Sequence, residues 1–304
     1  MTLWKLALGC LLLLSTSALA YNNKLELKYG IDKSGNSNGH WIAYDPKTGL
    51  MSTKYDEKLS KKLTLQETQW ADLIASRLTT WASRLDTIAI PFSKTKPIRQ
   101  VTIVLGNVGD RDAFAHPTVY PQHVFFNLSK LESNYGSALL DKNKVRIDRF
   151  FAHEYTHLLQ HRRSLKSPYP LDSYVEQALT IAYKEGFGHF HSISDKWKDQ
   201  SGGITPHALE KLAVLEVEFV KRMVALKSAN EQEAAMLMQG ISTGRFDKKW
   251  GALTVALWLT KEANGNDSLL VKWVDSGPRG LMLLADKHLP DHLGSLLKQE
   301  FEAL

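Results

Sequence analysis

The feature that most constrains this chain is the pentapeptide at 153–157, in which two histidines stand four residues apart and a glutamate follows the first. Residues four apart on an α-helix lie on one face, about 6 Å apart along the axis. His153 and His157 can therefore direct their rings at one metal ion, with the Glu154 carboxylate beside it. The spacing predicts a helix that carries two zinc ligands and a base.

Apolar residues around the pentapeptide recur at helical spacing. At about 100° per residue, one apolar stripe forms from Ile147, Phe151, Tyr155 and Leu158. A polar set is expected to face away from it: Asp148, Arg149 and Gln160. The histidines and Glu154 fall along one edge of the stripe, which is typical of a core helix that lines a cleft.

A catalytic zinc ion needs a third protein ligand and an open fourth position. His161 lies eight residues beyond His153, about 12 Å along a straight helix, so the three histidines cannot bind one ion. A second helix is predicted from Leu171 to Glu185, after a polar break with prolines.

Two glutamates of this second helix are candidates for the third ligand. Glu185 lies on its apolar face, where a carboxylate is costly unless a partner such as a metal ion is present. Glu176 lies on the polar face. Glu185 is therefore the preferred ligand, with Glu176 as the alternative and a histidine at 189 or 191 as the next candidate.

This pattern resembles that of the gluzincins, zinc metallopeptidases in which two histidines and a downstream glutamate bind the metal. The resemblance is greatest to the shorter bacterial peptidases of that clan and covers about 98–190. It implies zinc bound by His153, His157 and Glu185, with Glu154 as the general base that activates a water. It also implies a zincin-like α+β fold, in which a small sheet packs on the active-site helix and the C-terminal part is mainly helical.

Two features depart from related patterns. Gluzincins often place an aspartate four residues after the glutamate ligand to orient the first histidine, and here that residue is His189. The metzincin pattern does not fit, because Gln160 and Arg163 stand where its glycine and third histidine belong. The Gly-x-Met-Glu-Asn signature of the alanyl-aminopeptidase branch is absent, so nothing indicates specificity for an amino terminus.

Peptide hydrolysis also needs a group that donates to the oxyanion of the tetrahedral intermediate. The sequence offers several candidates without choosing among them: Tyr183, His189, His191 and His116. His123 is a further residue that could face the site, from a strand predicted at 123–128. An edge strand at 101–105 could align an extended substrate by backbone pairing.

Residues 1–20 have the features of a secretory signal. Lys5 precedes an apolar run, and Ala18-Leu19-Ala20 resembles a cleavage site. We therefore expect a mature chain that begins near Tyr21 and is secreted or periplasmic. Cys10 is the only cysteine, so this mature chain would have neither a disulfide nor a thiolate ligand. No later segment is long and apolar enough for a membrane span.

The remaining pattern predicts one domain over 21–304, made of an N-terminal β elaboration (21–60), a catalytic core (61–190) and a helical part (191–304). Short strands with a turn at 45–49 predict one or two hairpins in the first part. Thr64 and Glu67 form a capping box that begins a helix over 64–87, and strands are predicted at 101–105 and 123–128, together forming the sheet edge above the cleft. A glycine-rich loop is expected at 186–206. Helices should follow at 209–226, 234–241, 250–262, 269–275, 280–285 and 292–303.

The net charge of +6 comes from lysines and arginines spread along the chain. No long basic run interleaved with aromatic residues is present, so a nucleic-acid partner is not expected. The predicted partner is a peptide or protein substrate, and the oligomeric state is not indicated. Two alternatives stay open: an envelope binding protein with a zincin fold and no turnover, and a hydrolase of non-peptide amides in cell-wall material.

Overall fold

The computed structural model describes residues 23–29, 41–44, 51–54, 63–95, 97–106, 111–118, 120–163 and 173–301. The predicted signal at 1–20, the turn at 45–49 and the proline-containing break after residue 163 lie outside these residues. The strands are β1 (Lys24–Tyr29), β2 (Trp41–Tyr44), β3 (Met51–Lys54), β4 (Gln100–Gly106), β5 (Ala113–Ala115) and β6 (His123–Asn127).

The helices account for most of the described chain, and the architecture is α+β as predicted. They are α1 (Leu65–Ile88), α2 (Leu128–Tyr135), α3 (Asp141–Arg163), α4 (Tyr174–Ser192), α5 (Pro206–Leu226), α6 (Glu231–Leu237), α7 (Ala252–Ala263), α8 (Val271–Ser276), α9 (Gly280–His288) and α10 (Asp291–Phe301). The capping box before α1 is confirmed, because the Thr64 side chain accepts from the Glu67 N–H and Glu67 accepts from the Thr64 N–H. The predicted helices of the C-terminal part are confirmed as α5 to α10, with shifted ends.

Four strands form one mixed sheet in the order β1-β4-β6-β5. β1, β4 and β6 are parallel, and β5 pairs antiparallel with β6. The prediction that the strand at 101–105 is an edge is wrong, because β4 lies between β1 and β6. The edge nearest the motif helix is β5, which was not predicted. β2 and β3 form a separate antiparallel hairpin, with Tyr44 opposite Met51.

One face of the sheet packs against α1 and α3. The Trp81 ring stacks on Phe151 of α3, with ring centroids 4.5 Å apart, and on Phe126 of β6 at 5.7 Å. The predicted stripe on α3 is confirmed, because all four of its residues are at most 1 % exposed. Asp148 was predicted to face away, but its carboxylate accepts hydrogen bonds from Arg77 and from Trp81 Nε1 and so joins α3 to α1.

α4 extends to Ser192, so the loop predicted from 186 begins later than expected. Glycine commonly ends a helix, which is why the sequence suggested a break there. Here two helical glycines serve close packing. A Cβ atom on Gly186 would lie 2.4 Å from Val255 Cγ1, and one on Gly188 would lie 2.7 Å from Cε1 of His153. These glycines let α4 approach α7 on one side and α3 on the other.

α7 lies in the middle of the helical part. Eight consecutive residues from Ala252 to Leu259 are buried, so this helix is covered on every side. It packs against α4 and α5, and thereby supports the helix that carries Glu185. No helix within the described ranges combines the length and apolar character needed to cross a membrane.

Candidate metal centre

The structure brings His153, His157 and Glu185 together at the contact between α3 and α4. The two Nε2 atoms of the histidines are 3.0 Å apart. Glu185 directs one carboxylate oxygen to within 3.3 Å of His153 Nε2 and the other to within 3.7 Å of His157 Nε2. All three side chains are half-buried, so the cluster keeps some access to solvent.

These separations fit one zinc ion. Ligand atoms at about 2.1 Å from a tetrahedral zinc stand about 3.4 Å from one another. The two Nε2 atoms stand slightly closer than that, each histidine faces a different Glu185 oxygen, and one donor atom from each residue lies within 4.8 Å of the others. Two imidazoles and a carboxylate are ordinary zinc donors, and the tetrahedron retains a fourth position that these residues do not fill. The donor set therefore suits zinc with one open coordination position.

The charges at the cluster favour metal binding. Burial alone would raise the pKa of Glu185, but the hydrogen bond with His153 and the charge of His157 lower it well below its ordinary range. Glu185 therefore stands as a carboxylate anion, the form that binds a cation. It is the one predicted ligand that comes from α4.

Glu154 lies next to the cluster but its carboxylate is not among the converging donors. It is 9 % exposed, and burial raises its pKa to about 7, helped by the negative charge of Glu185. His157, Arg111 and a hydrogen bond from the backbone N–H of Ala115 oppose this rise. A carboxyl group with a pKa near neutrality can both accept and return a proton, as a general base requires.

His157 is oriented by Gln160, for which the sequence analysis predicted only a position away from the apolar stripe. The Gln160 Oε1 atom lies 2.9 Å from His157 Nδ1. The Gln160 amide nitrogen in turn donates to the backbone oxygen of Lys184 on α4 at 3.1 Å. The spacing of three residues on a helix places two side chains side by side, and that spacing could have revealed the contact.

His153 is enclosed by α4. Ser192 Oγ lies 3.4 Å from its Nδ1 atom, and the ring of His189 packs 4.8 Å away at an angle of 49°. Gly188 leaves the space that the imidazole fills. His189 stands where gluzincins often have an aspartate. The His189 ring packs against the His153 ring, and no hydrogen bond joins the two. Ser192 is the side chain that faces Nδ1.

The other ligand candidates lie elsewhere. Glu176 pairs with Arg279, with 2.8 Å between nitrogen and oxygen, near the start of α4. His161 is absent from the converging group, as the helical distance predicts. Burial and the charges of Lys184 and His116 lower the pKa of His161. His116 therefore lies near the C-terminal end of α3, where His161 is.

Three further residues named in the sequence analysis make their contacts outside the cluster of proposed ligands. The Tyr183 hydroxyl donates to the Val274 carbonyl at 3.2 Å, in contact with α8. His191 lies 2.9 Å from the buried Thr156 hydroxyl, between α3 and α4. His123 stacks on Phe125, and alternation along β6 places both rings on the face opposite Val124 and Phe126, which belong to the core beside α3.

Two cations near the cluster were not predicted as site residues. The Lys249 amino group lies 3.2 Å from His189 Nε2. Arg111, just before β5, is exposed and close enough to influence the pKa values of both Glu154 and Lys249. Neither residue belongs to a recognisable motif, so no sequence pattern indicated them.

Comparison of the chain with protein-family models, with curated proteins and with solved structures finds no match. The case for a function therefore rests on the residues and geometry described above.

Proposed function

We propose that this protein is a zinc-dependent peptidase with a zincin-like fold, in which His153, His157 and Glu185 hold the metal and Glu154 is the general base. The observation that carries this proposal is the convergence of the three donor side chains at separations suited to zinc, with a carboxyl group of raised pKa beside them. Zinc, when bound in such a site, polarises a carbonyl group and makes water a better nucleophile.

Glu154 is placed to move protons. Its carboxyl group accepts a proton from the attacking water and returns it to the leaving amine, and its burial keeps both protonation states accessible near neutral pH. The Ala115 N–H of β5 donates a hydrogen bond to the Glu154 carboxylate. Gln160 and Ser192 orient the two histidine rings, so that both Nε2 atoms face the metal position.

The edge strand β5 supports a peptide as the substrate. The Asn127 N–H donates to the Asp112 carbonyl at 2.9 Å, and hydrogen-bonded pairs alternate along an antiparallel ladder. Phe114 therefore directs its backbone groups toward β6, whereas Ala113 and Ala115 direct theirs outward. Within the described chain no strand pairs with this outer side. An extended peptide could pair there and lie beside Glu154.

The signal-like features of residues 1–20 complete the proposal, with the enzyme acting in the periplasm or outside the cell. A peptide or protein of that compartment is then the substrate. These residues lie outside the described part of the chain, so this element rests on the sequence alone.

The test is a pair of measurements on purified protein: metal content, and cleavage of a peptide library. Wild type should bind one zinc and cleave peptides, and removal of the metal by a chelator should abolish cleavage. Glu154→Gln should retain zinc and lose activity by a factor of roughly a hundred or more, because it removes the base and no ligand. Wild-type activity in this variant would contradict the proposed mechanism.

Two glutamate variants test the ligand set separately. Glu185→Ala leaves zinc with two protein ligands, so metal retention under chelator competition should fall severely. Glu176→Ala is the matched control on the same helix, because its carboxylate pairs with Arg279 away from the cluster. The assignment is wrong if the control loses zinc and Glu185→Ala keeps it.

A further inference from the structure

Lys249 has a positive charge in an unusual place for the proposed zinc centre. It follows the short helical turn at Phe246–Lys248 and precedes α7, which fixes its backbone between two structured elements. Its amino group lies 3.2 Å from His189 Nε2, and the His189 ring packs against the ligand His153. The Lys249 ammonium is therefore separated from a proposed zinc ligand by a single imidazole.

Among the described residues, no carboxylate oxygen lies within 4.0 Å of the Lys249 amino group. The neighbours found there are His189 Nε2, which accepts its hydrogen bond, and the Phe246 ring, whose centroid lies 5.7 Å away. The negative charge of Glu185 acts on Lys249 from a distance. When Glu185 binds zinc, that charge is shared with the metal. A half-buried ammonium without a counterion is costly, so a partner is expected in the working complex.

Arg111 is a second cation near the cluster. Arg111 precedes β5, and its guanidinium is exposed. Arg111 lies close enough for its positive charge to lower the pKa values of both Glu154 and Lys249. With zinc in place, the carboxylates of Glu154 and Glu185 would balance the metal, and no other carboxylate of the described residues forms an ion pair with either cation. The surroundings of the metal then favour an anion.

We propose that Lys249, assisted by Arg111, binds a carboxylate group of the substrate close to the scissile bond. The carboxylate belongs either to an aspartate or glutamate side chain or to the C-terminus of the peptide. Both sources offer the same planar anion to the ammonium, and a guanidinium can bind it with two parallel hydrogen bonds. This inference rests on the proposed function only in taking the metal centre as the place where peptides bind.

The test is a binding measurement that does not require turnover. Calorimetry on the zinc-loaded Glu154→Gln variant compares an amidated peptide of neutral residues with two altered forms. One form carries a single glutamate, moved position by position, and the other has a free C-terminal carboxylate. At least one acidic form should bind roughly tenfold to a hundredfold more tightly, the range typical of hydrogen bonds to charged groups. Which form gains affinity identifies the source of the carboxylate.

Three further changes, each added to the same background, separate Lys249 from other causes. Lys249→Met should remove most of the preference for acidic peptides while neutral peptides bind within about twofold of before. Lys249→Arg keeps the charge and should keep most of the preference, which also guards against a folding defect. Lys248→Met is the matched control, because Lys248 is exposed and no hydrogen bond or ion pair of its side chain with a described residue is found.

Three results would overturn the inference. The first is equal binding of acidic and neutral peptides, or no binding of any peptide. The second is a preference that survives in Lys249→Met, since the carboxylate would then be held by another group, either the zinc or Arg111. The third is an equal loss in Lys248→Met. Failure of the peptidase proposal is a separate result: it shows as undiminished cleavage by Glu154→Gln, whatever the binding preference.

Discussion

At the scale of single residues, the proposed centre differs from common zinc sites in what lies behind its histidines. Carboxylate partners make metal-bound histidines more basic and strengthen metal binding. Here an amide oxygen of Gln160 faces His157 and a hydroxyl of Ser192 faces His153. Neutral partners orient the rings but donate less charge through them. The zinc ion should therefore be held less tightly and withdraw more electron density from a substrate carbonyl.

Gln160→Leu tests this role. The change removes the acceptor that fixes the His157 ring and cuts the connection to the Lys184 carbonyl, so zinc affinity should fall about tenfold to a hundredfold. Gln160→Glu restores a carboxylate partner and should bind zinc more tightly than wild type. A chelator-competition titration measures both. Gln66→Leu, on the exposed part of α1, is the control and should titrate like wild type.

Gly188→Ala tests the space around His153. The added methyl would meet the imidazole at 2.7 Å, so the ring must shift away from the metal position. We expect weaker zinc binding and a loss of about 1–3 kcal/mol in the free energy of unfolding of the metal-free protein. Gly294→Ala is the matched control in α10, where the nearest atom is 3.9 Å away. It should be neutral or slightly stabilising, and an equal effect of the two changes would contradict the packing argument.

At the scale of helices and strands, features set by neighbours in the sequence were predicted correctly, whereas contacts between distant segments were not. The periodicity of α3 and the capping box of α1 depend on neighbours in the chain, and both were predicted correctly. The end of α4 was missed because Gly186 and Gly188 meet Val255 and His153, contacts that no local pattern reveals. β5 has only three residues, too few for alternation to be recognised.

The candidate site divides in the same way. His153, Glu154 and His157 could be found from spacing on one helix, and Glu185 from an acidic residue on an apolar face. Lys249 could not be found in this way, because it contacts His189 of α4, and only the His189 ring contacts His153. The position of β4 inside the sheet also depends on β1, a partner far away in the sequence.

One buried contact between helices is expected to make the stability of the fold depend on pH. Glu262 at the end of α7 is 8 % exposed and accepts hydrogen bonds from Trp273 Nε1 at 2.8 Å and from Lys272 and Lys287, the last in α9. Burial alone would raise its pKa, but the lysines and Trp273 lower it from 4.5 to about 2. A lowered folded-state pKa means that the contribution to stability is complete above about pH 4.5 and is lost as the pH falls toward 2.

Glu262→Gln should therefore lower the free energy of unfolding by about 1–3 kcal/mol at pH 7, since a buried charged hydrogen-bonding group is lost. The difference from wild type should shrink between pH 4.5 and pH 2. Urea unfolding at pH 7, 5, 4 and 3 measures it. Glu300→Gln, at an exposed ion pair with Lys227, is the control with little expected effect. A difference that does not change with pH would show that the charge of Glu262 is not responsible.

At the scale of the whole molecule, the centre lies between stacked layers. The sheet, α3, α4 and α7 follow one another, and the proposed ligands come from the two middle layers. Both of these helices are long and packed on two sides, which holds catalytic side chains in fixed positions better than loops do. β5 borders the centre on the side of Glu154, where the Ala115 N–H donates to the Glu154 carboxylate.

Export is a prediction that rests on residues 1–20. The apolar run after Lys5 and the small residues at 18 and 20 predict cleavage before Tyr21. Intact-mass spectrometry of the protein recovered from the periplasm or the medium should give a chain that starts at or near this residue. A retained Met1, or a lipid attached to Cys10, would contradict it.

The predicted cleavage site lies close to β1, so a cut a few residues further along the chain would enter this strand. Lys24–Tyr29 begins only a few residues after the predicted cut, and it covers one side of β4 through parallel pairing from Lys24 to Tyr29. Val101–Leu105 is a continuous run of strongly strand-forming residues without charge or proline. Trimming that removed β1 would expose the backbone of this run as a template for cross-β assembly with other copies. β1 thus shields the backbone of β4, and a chain trimmed past Tyr29 should aggregate more readily than one that begins near Tyr21.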